Sequence, residues 1–188
     1  MTSAPLSALP IASQRLTLVP LTPDFLEAAL QGDLVYAARL IGATVPDAAT
    51  SSDSTYAMRL RQLRDDPLLQ PWLLRAIILR ETGTMIGRIG FHDAPDAKYL
   101  RDYAPGGLEL GYEIYPAFRR QGYASEACRA LMDWAHHAGG VNRFVVSVSP
   151  HNVASLAMAE QFGYRRVGQH MDEEDGEEYI FMLEYPQA

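Results

Sequence analysis

Cysteine is almost missing from this chain: Cys128 is the one thiol in 188 residues. No intrachain disulfide can form, which fits a reducing cytoplasm. No stretch of eighteen apolar residues occurs, which excludes a membrane-spanning helix. The segment from Met1 to Ser13 lacks a basic n-region, so no secretory signal is expected. Positive charge is in the minority, with 16 Lys and Arg against 23 Asp and Glu and a net charge of −7. That balance argues against nucleic acid as a partner and favours cationic substrates. The P-loop pattern Gly-x-x-x-x-Gly-Lys-Ser/Thr is absent, which argues against a P-loop nucleotidase. His136 and His137 are adjacent and cannot set two ligands on one helix face. With no Cys/His cluster nearby, no metal is expected.

What is present is ordinary for a globular domain: 48% hydrophobic and 21% charged residues. The length suits one domain, read as residues 14–188 behind a flexible segment 1–13. Arg15 to Val19 alternates as a first strand, and Pro23 opens a helix that resumes over Asp33 to Leu40. Gly42 to Ser54 is turn-rich, and Thr55 to Arg64 is helical. Trp72 to Leu79 and Thr84 to Phe91 are two strands around Glu81-Thr82-Gly83, followed by a loop from Asp93 to Gly107. Later come a strand at Arg143 to Val148 and a helix at Asn152 to Phe162, with Asn152 as N-cap and Gly163 as its C-terminal stop. Strands at Tyr164 to Met171 and Tyr179 to Tyr185 are joined through the acidic turn 172–176, where Asp175-Gly176 suits a hairpin. Strands interleaved with helices in this order give an α/β or α+β sheet.

The strongest local feature is Arg119-Arg120-Gln121-Gly122-Tyr123-Ala124. A strand-like run, Leu108 to Tyr115, precedes it. A helix with apolar positions Ala124, Ala127, Cys128, Leu131, Ala135 and Ala138 follows. A strand, a short basic glycine loop and a helix together offer free backbone N–H groups to a phosphate. In an acidic chain, the Arg119-Arg120 pair is the island an anionic ligand needs. Cys128 falls on the apolar helix stripe and reads as core.

The loop has the form Arg119-x-x-Gly122-x-Ala124, and thirty residues past Gly122 stands Asn152-x-x-Ser155, followed by Glu160, Phe162, Gly163 and Tyr164. Together these resemble the GNAT N-acetyltransferase superfamily. Gly111-Tyr112 and the Asn-x-x-Ser form look most like its RimJ/RimL branch. The motifs cover residues 108–164, and the element order matches over about 14–185. The resemblance implies a GNAT fold: a central mixed, mostly antiparallel sheet, splayed at a cofactor wedge and flanked by helices. It implies acetyl-CoA as cosubstrate and direct attack by a primary amine in a ternary complex, with no metal. In that branch the acceptor is a protein or peptide N-terminal α-amine. A small amine (amino acid, polyamine or aminoglycoside) is the first alternative, and a non-catalytic acyl-CoA sensor the second. Nucleic acid and membrane are not expected as partners, and nothing in the chain decides for or against a homodimer.

Site residues follow from the same resemblance. Arg119, Arg120, Gln121, Gly122, Tyr123 and Ala124 would hold the pyrophosphate, with Ile114 and Asn152 along the pantetheine. Ser155 would face the thioester sulfur as acid or hydrogen-bond donor. Many family members carry a tyrosine seven residues after the Asn, and here that position is Ala159. Glu109 and Glu113, four apart on one strand face, are candidate general bases together with Glu173 and Glu174. Glu109 is favoured because Glu113 lies nearer the pyrophosphate loop. All four carboxylates can equally be surface charges that attract a cationic substrate.

Overall fold

Local sequence signals set the element boundaries. In the computed structural model, which describes residues 8–172 and 176–186, Pro23 begins helix α1 (Pro23–Leu30). The Thr22 hydroxyl caps it by accepting from Phe25 N–H. Asp33 caps α2 (Leu34–Ile41) through Tyr36 N–H at 2.9 Å, and Gly42 closes it in the left-handed conformation. The strands are β1 (Ile11–Ala12), β2 (Leu16–Pro20), β3 (Arg75–Leu79), β4 (Thr84–Phe91), β5 (Leu108–Ile114), β6 (Arg143–Val148), β7 (Arg165–Asp172) and β8 (Gly176–Glu184). Three longer helices complete the set: α3 (Asp53–Asp65), α4 (Tyr123–Gly139) and α5 (Val153–Phe162). The eight strands form one open, mostly antiparallel sheet in the order β1-β2-β3-β4-β5-β6-β8-β7.

The chain divides into two units. The first holds residues 8–90 and 112–134. Here β2 pairs antiparallel with β3 over five positions, from Leu16 opposite Leu79 to Pro20 opposite Arg75. One core cluster joins Leu21, Phe25 and Leu26 with Tyr56, Leu60 and Leu63 of α3, Leu73, Ile78 of β3, and Tyr115. Helix α3 supplies its apolar residues at a 3–4 spacing, which is why its sequence reads as amphipathic. Ile11 and Ala12, inside the segment expected to be flexible, pair with Leu18 and Thr17.

The second unit holds residues 91–111, 135–172 and 176–186. Strand β6 pairs antiparallel with β8, and β8 with β7. Strands β5 and β6 pair in parallel through Leu108 with Phe144 and Glu109 with Val145. Leu100, Ala104, Val145, Ile180 and Met182 form its core cluster, with Tyr103 and Val167 packed against it. Phe91 stacks on Phe144 at 6.0 Å, and Tyr185 meets Phe144 edge-on.

The structure begins β3 at Arg75, three residues later than the apolar run from Trp72 suggests. Trp72 and Leu73 N–H both donate to the Leu69 carbonyl, so a turn takes the backbone groups that a strand would use. The turn-rich segment 42–54 contains a 3₁₀ turn (Asp47–Ser52), and Thr44 bridges to Thr84. The acidic hairpin 173–175 lies outside the described residues.

Arg75 is the conspicuous charge in this core. Fully buried on β3, it donates from Nη1 to the Leu9 carbonyl and from Nη2 to the Pro71 carbonyl, both at 2.8 Å. Its guanidinium lies 4.9 Å from the Trp134 ring, which Trp72 meets edge-on at 5.3 Å. Burial lowers its pKa to about 10, so it stays charged at neutral pH. Arg75→Ala removes the donors of two carbonyls and leaves a void. It is expected to reduce unfolding free energy by about 2–4 kcal/mol in urea titrations. Arg75→Met, which refills the volume, is expected to lose less.

Candidate functional site

The residues singled out by the motifs divide between the two units. In the first, β5 ends at Ile114 and a 3₁₀ turn (Pro116–Phe118) leads to the loop that opens α4. Arg120 and Gly122 both take positive φ, at 62° and 79°. At Gly122 this conformation carries no steric penalty, and it turns the chain directly into the helix. Gly122 accepts the first helical bond, from Glu126 N–H, so the amides of the first turn have no intrahelical acceptor. Arg119, Arg120, Gln121 and Gly122 are exposed, Ala124 is half-buried and Tyr123 is buried. Arg119 Nε donates to the Ile114 carbonyl at 2.8 Å, tying the loop to the end of β5. Exposed backbone donors at a helix N-terminus, beside two arginines, suit a phosphate group.

A residue that sequence reasoning missed braces this loop. Arg15 donates its backbone N–H to Glu126 Oε1 and its Nε to Oε2, both at 2.6 Å, and its Nη1 to the Gln121 carbonyl at 3.0 Å. The guanidinium lies 4.5 Å from the centre of the Tyr123 ring. Ser13 Oγ also donates to Glu126 Oε1. Burial alone would raise the Glu126 pKa, but the hydrogen bonds and charge of Arg15 and Ser13 outweigh it and lower the value. An acid in the first turn of a phosphate-binding helix would repel its ligand. Arg15 neutralises it in place.

In the second unit the centre is Glu109. Its side chain is 8% exposed. Ser147 Oγ donates to Oε1 at 2.6 Å, Tyr99 donates a further hydrogen bond, and His92 Nδ1 lies 3.4 Å from Oε2. The backbone repeats the link, His92 N–H donating to the Glu109 carbonyl at 2.9 Å. Burial by itself would raise the Glu109 pKa, yet the hydrogen bond and charge of His92, then Ser147 and Tyr99, bring it down to about 2. Such a carboxylate accepts a proton poorly at neutral pH, though it anchors a cation or a donor well. Its rival Glu113, in the first unit, is ion-paired with Arg88 Nε at 2.9 Å. Glu173 and Glu174 lie outside the described residues.

Asn152 and Ser155 meet as a helix cap. Asn152 is exposed, and its Oδ1 accepts from Ser155 N–H at 3.1 Å. Gly163 ends α5 at a φ of 80°. Ser155 is half-buried, one turn into the helix, and Ala159 is buried. Cys128 is buried in α4, and burial pushes its thiol pKa up, which disfavours a nucleophilic thiolate. His136 Nδ1 lies 3.1 Å from the Val141 carbonyl at the end of α4. No group of three metal-ligating side chains occurs among the described residues.

His92 carried no motif in the sequence. The one available signal was position: a polar, ionisable residue immediately after an apolar strand. Arg15 looked like a routine first residue of an alternating strand. The Glu109 network also has a thermodynamic signature. Because its folded pKa lies below the ordinary value of 4.5, it contributes stability above that pH and loses it as pH falls toward about 2. Unfolding free energy measured from pH 6 to pH 2 is therefore expected to fall more steeply in the unaltered protein than in Glu109→Gln.

Comparison with known proteins matches residues 15–165 to the family described as "Acetyltransferase (GNAT) domain". Among curated relatives, "Uncharacterized N-acetyltransferase YnaD" of Bacillus subtilis (strain 168) is 29% identical over 92 residues, 49% of each chain. The chain thus spans about half the length of that relative. Among solved structures, RimJ of Mycobacterium smegmatis in complex with CoA-disulfide superposes with a TM-score of 0.66 at 17% identity, over 96% of this chain and 91% of that one. A putative ribosomal-protein-serine acetyltransferase from Vibrio cholerae gives 0.61 at 22% identity, over 94% and 97%. At these identities the structures show a shared fold. The family match over most of the chain goes further: this protein belongs to the GNAT acetyltransferase family.

Proposed function

We propose that this protein is an acetyl-CoA-dependent N-acetyltransferase that acetylates a primary amine, with a protein or peptide N-terminal α-amine as the acceptor. The observation that carries the reading is the loop from Arg119 to Gly122. It presents the N–H groups of the first turn of α4 beside Arg119 and Arg120, a fit for the pyrophosphate of acetyl-CoA. Ile114, Gln121, Tyr123 and Ala124 complete the cofactor residues of this reading. Asn152 lies along the pantetheine, and Ser155 donates to the leaving sulfur. Direct transfer suits a chain whose only thiol is buried and held protonated. Likeness of fold to RimJ and to a ribosomal-protein-serine acetyltransferase supports the N-terminal acceptor.

An α-amine has a pKa near ~8 and is partly neutral at physiological pH, whereas a lysine side chain near ~10.4 is almost wholly charged. The free base that must attack is therefore far more abundant for an N-terminus. The acidic net charge attracts either cation before binding. The test is CoA release from acetyl-CoA, read with a thiol reagent, across N-terminal peptides, peptides with a blocked α-amine, polyamines, amino acids and aminoglycosides. Turnover confined to peptides with a free α-amine is the expected result. Turnover with one small amine alone moves the acceptor to a metabolite. Acetyl-CoA binding without turnover makes the chain a sensor.

The brace on the loop gives a second measurement. Arg15→Ala is expected to weaken CoA binding about tenfold or more in calorimetry, because the Glu126 carboxylate then faces the phosphates unpaired. Adding Glu126→Gln to Arg15→Ala is expected to recover part of the loss. If the double variant binds no better than the single, charge neutralisation is not what Arg15 supplies.

A further inference from the structure

Residues 9–15 run through the first unit as a mostly exposed strap, tied down at a few points. At one end the Leu9 carbonyl accepts from the buried Arg75 Nη1 at 2.8 Å, although the Leu9 side chain itself is exposed. Ile11 and Ala12 pair with Leu18 and Thr17. The Ser13 N–H donates to the Leu16 carbonyl at 2.9 Å, and the Ser13 carbonyl accepts from Arg80 Nη1 at 3.1 Å. At the other end Ser13 Oγ donates to Glu126 Oε1 at 2.7 Å, the same oxygen that takes the Arg15 N–H. Arg15 Nε holds Oε2, and its Nη2 stands 3.4 Å from where a Cβ on residue 122 would be. Among the described residues, every partner of the Glu126 carboxylate therefore comes from this strap. The hydrogen bonds of Arg75 go to Leu9 and Pro71, neither of which belongs to the loop.

We infer that docking of this strap and binding of CoA at the loop are coupled, with Ser13 as a positioning residue and Arg75 as the strap's remote anchor. The inference rests on the acetyl-CoA reading above and adds what controls affinity at that site. Docked, the strap meets Glu126 with a hydroxyl, a backbone N–H and a guanidinium, so the carboxylate is offset before an anion arrives. Undocked, the same carboxylate stands in the first turn of α4 without those donors and repels phosphates from the amides beside it. A ligand that favours one of two states shifts the population toward it, and the coupling is reciprocal. CoA therefore tightens the strap, and whatever loosens the strap weakens CoA. The strap suits this role because it is exposed along most of its length and held by few bonds, which places it at the low-stability end of the unit. Arg75 acts on the loop only by holding Leu9, and Ser13 acts on the cofactor only by holding Glu126.

The experiment joins hydrogen exchange at the amides of residues 11–15, with and without CoA, to calorimetry of CoA binding. The proteins are the unaltered chain, Ser13→Ala, Arg75→Met, Glu126→Gln, and Arg75→Met combined with Glu126→Gln. Saturating CoA is expected to slow exchange across the strap about tenfold, within the usual range of coupling between sites. Arg75→Met is expected to speed exchange at the same amides and to weaken CoA about threefold or more, by lowering the docked fraction. Ser13→Ala is expected to weaken CoA about two- to fivefold. In the Glu126→Gln background, Arg75→Met should change CoA affinity by about twofold or less, because no charge is left to unmask. Slowing by CoA that is confined to residues 119–126 would overturn the inference. So would a folded Arg75→Met protein whose strap exchanges faster while CoA binds as before. An equal loss with and without Glu126→Gln would mark a general loosening of the core and overturn it too. Should Arg75→Met not fold, the exchange comparison and Ser13→Ala decide by themselves. If the unaltered protein binds no CoA, the cofactor reading falls and this inference with it. If CoA binds and protects the loop without the strap, this inference falls alone. Coupling without turnover of any amine upholds it and removes the acceptor reading.

Discussion

A carboxylate taken out of water has to be met by donors, and around Glu109 that requirement organises much of the second unit. Ser147 comes from β6, Tyr99 from the 3₁₀ turn Lys98–Leu100, and His92 from the residue after β4. The parallel pairing of Glu109 with Val145 sets β6 beside β5, so that Ser147 can reach back to Oε1. Gly111, two residues along the strand, supplies the room that the imidazole fills. The desolvation cost of the charge is offset by three donors at once, and the depressed pKa records the surplus.

The first unit meets the same problem with the opposite purpose. Glu126 belongs at the start of α4 on helix-dipole grounds, yet the loop it adjoins offers exposed amide donors and two arginines that suit an anion. Arg15 resolves the conflict by gripping both carboxylate oxygens while its Nη1 holds the Gln121 carbonyl. One side chain thus neutralises the acid and fixes the loop that precedes the helix. The exposed Arg119 and Arg120 remain as the net positive charge of the loop, a distribution that the bulk charge of −7 conceals.

Much of this was legible in the chain. Pro23, Asn152 and Gly163 are local signals with local causes, and each marks a helix end where the structure has one. The loop at Gly122 was readable because a positive φ followed by an amphipathic helix is a backbone property that sequence encodes directly. What escaped was long-range. Arg15 and Glu126 are 111 residues apart, and Ser147 and Glu109 are 38 apart. Neither pairing has a period or a motif, and the fold alone creates them. Glu109 could be nominated as a carboxylate on the correct strand, but its burial, and hence its lowered proton affinity, depends on neighbours that spacing cannot show. The run from Trp72 misled for the reverse reason: its apolar character is real, but the Leu69 carbonyl had already claimed its amides.

The same contrast bears on how such a protein would select an amine. Sequence alone offered several carboxylates as equals, and a carboxylate exposed on a surface attracts any cation. Within the described residues, Glu109 and Glu113 are each committed to a partner, His92 and Arg88 respectively. Attraction and proton removal therefore make different demands: diffuse negative charge draws any ammonium in, whereas a carboxylate held at about 2, as Glu109 is, takes a proton from it poorly. At neutral pH an α-amine near ~8 stands closer to losing its proton than a lysine side chain near ~10.4. An acceptor whose own pKa lies near neutral therefore asks least of carboxylates that are already engaged, before any pocket has to distinguish one amine from another.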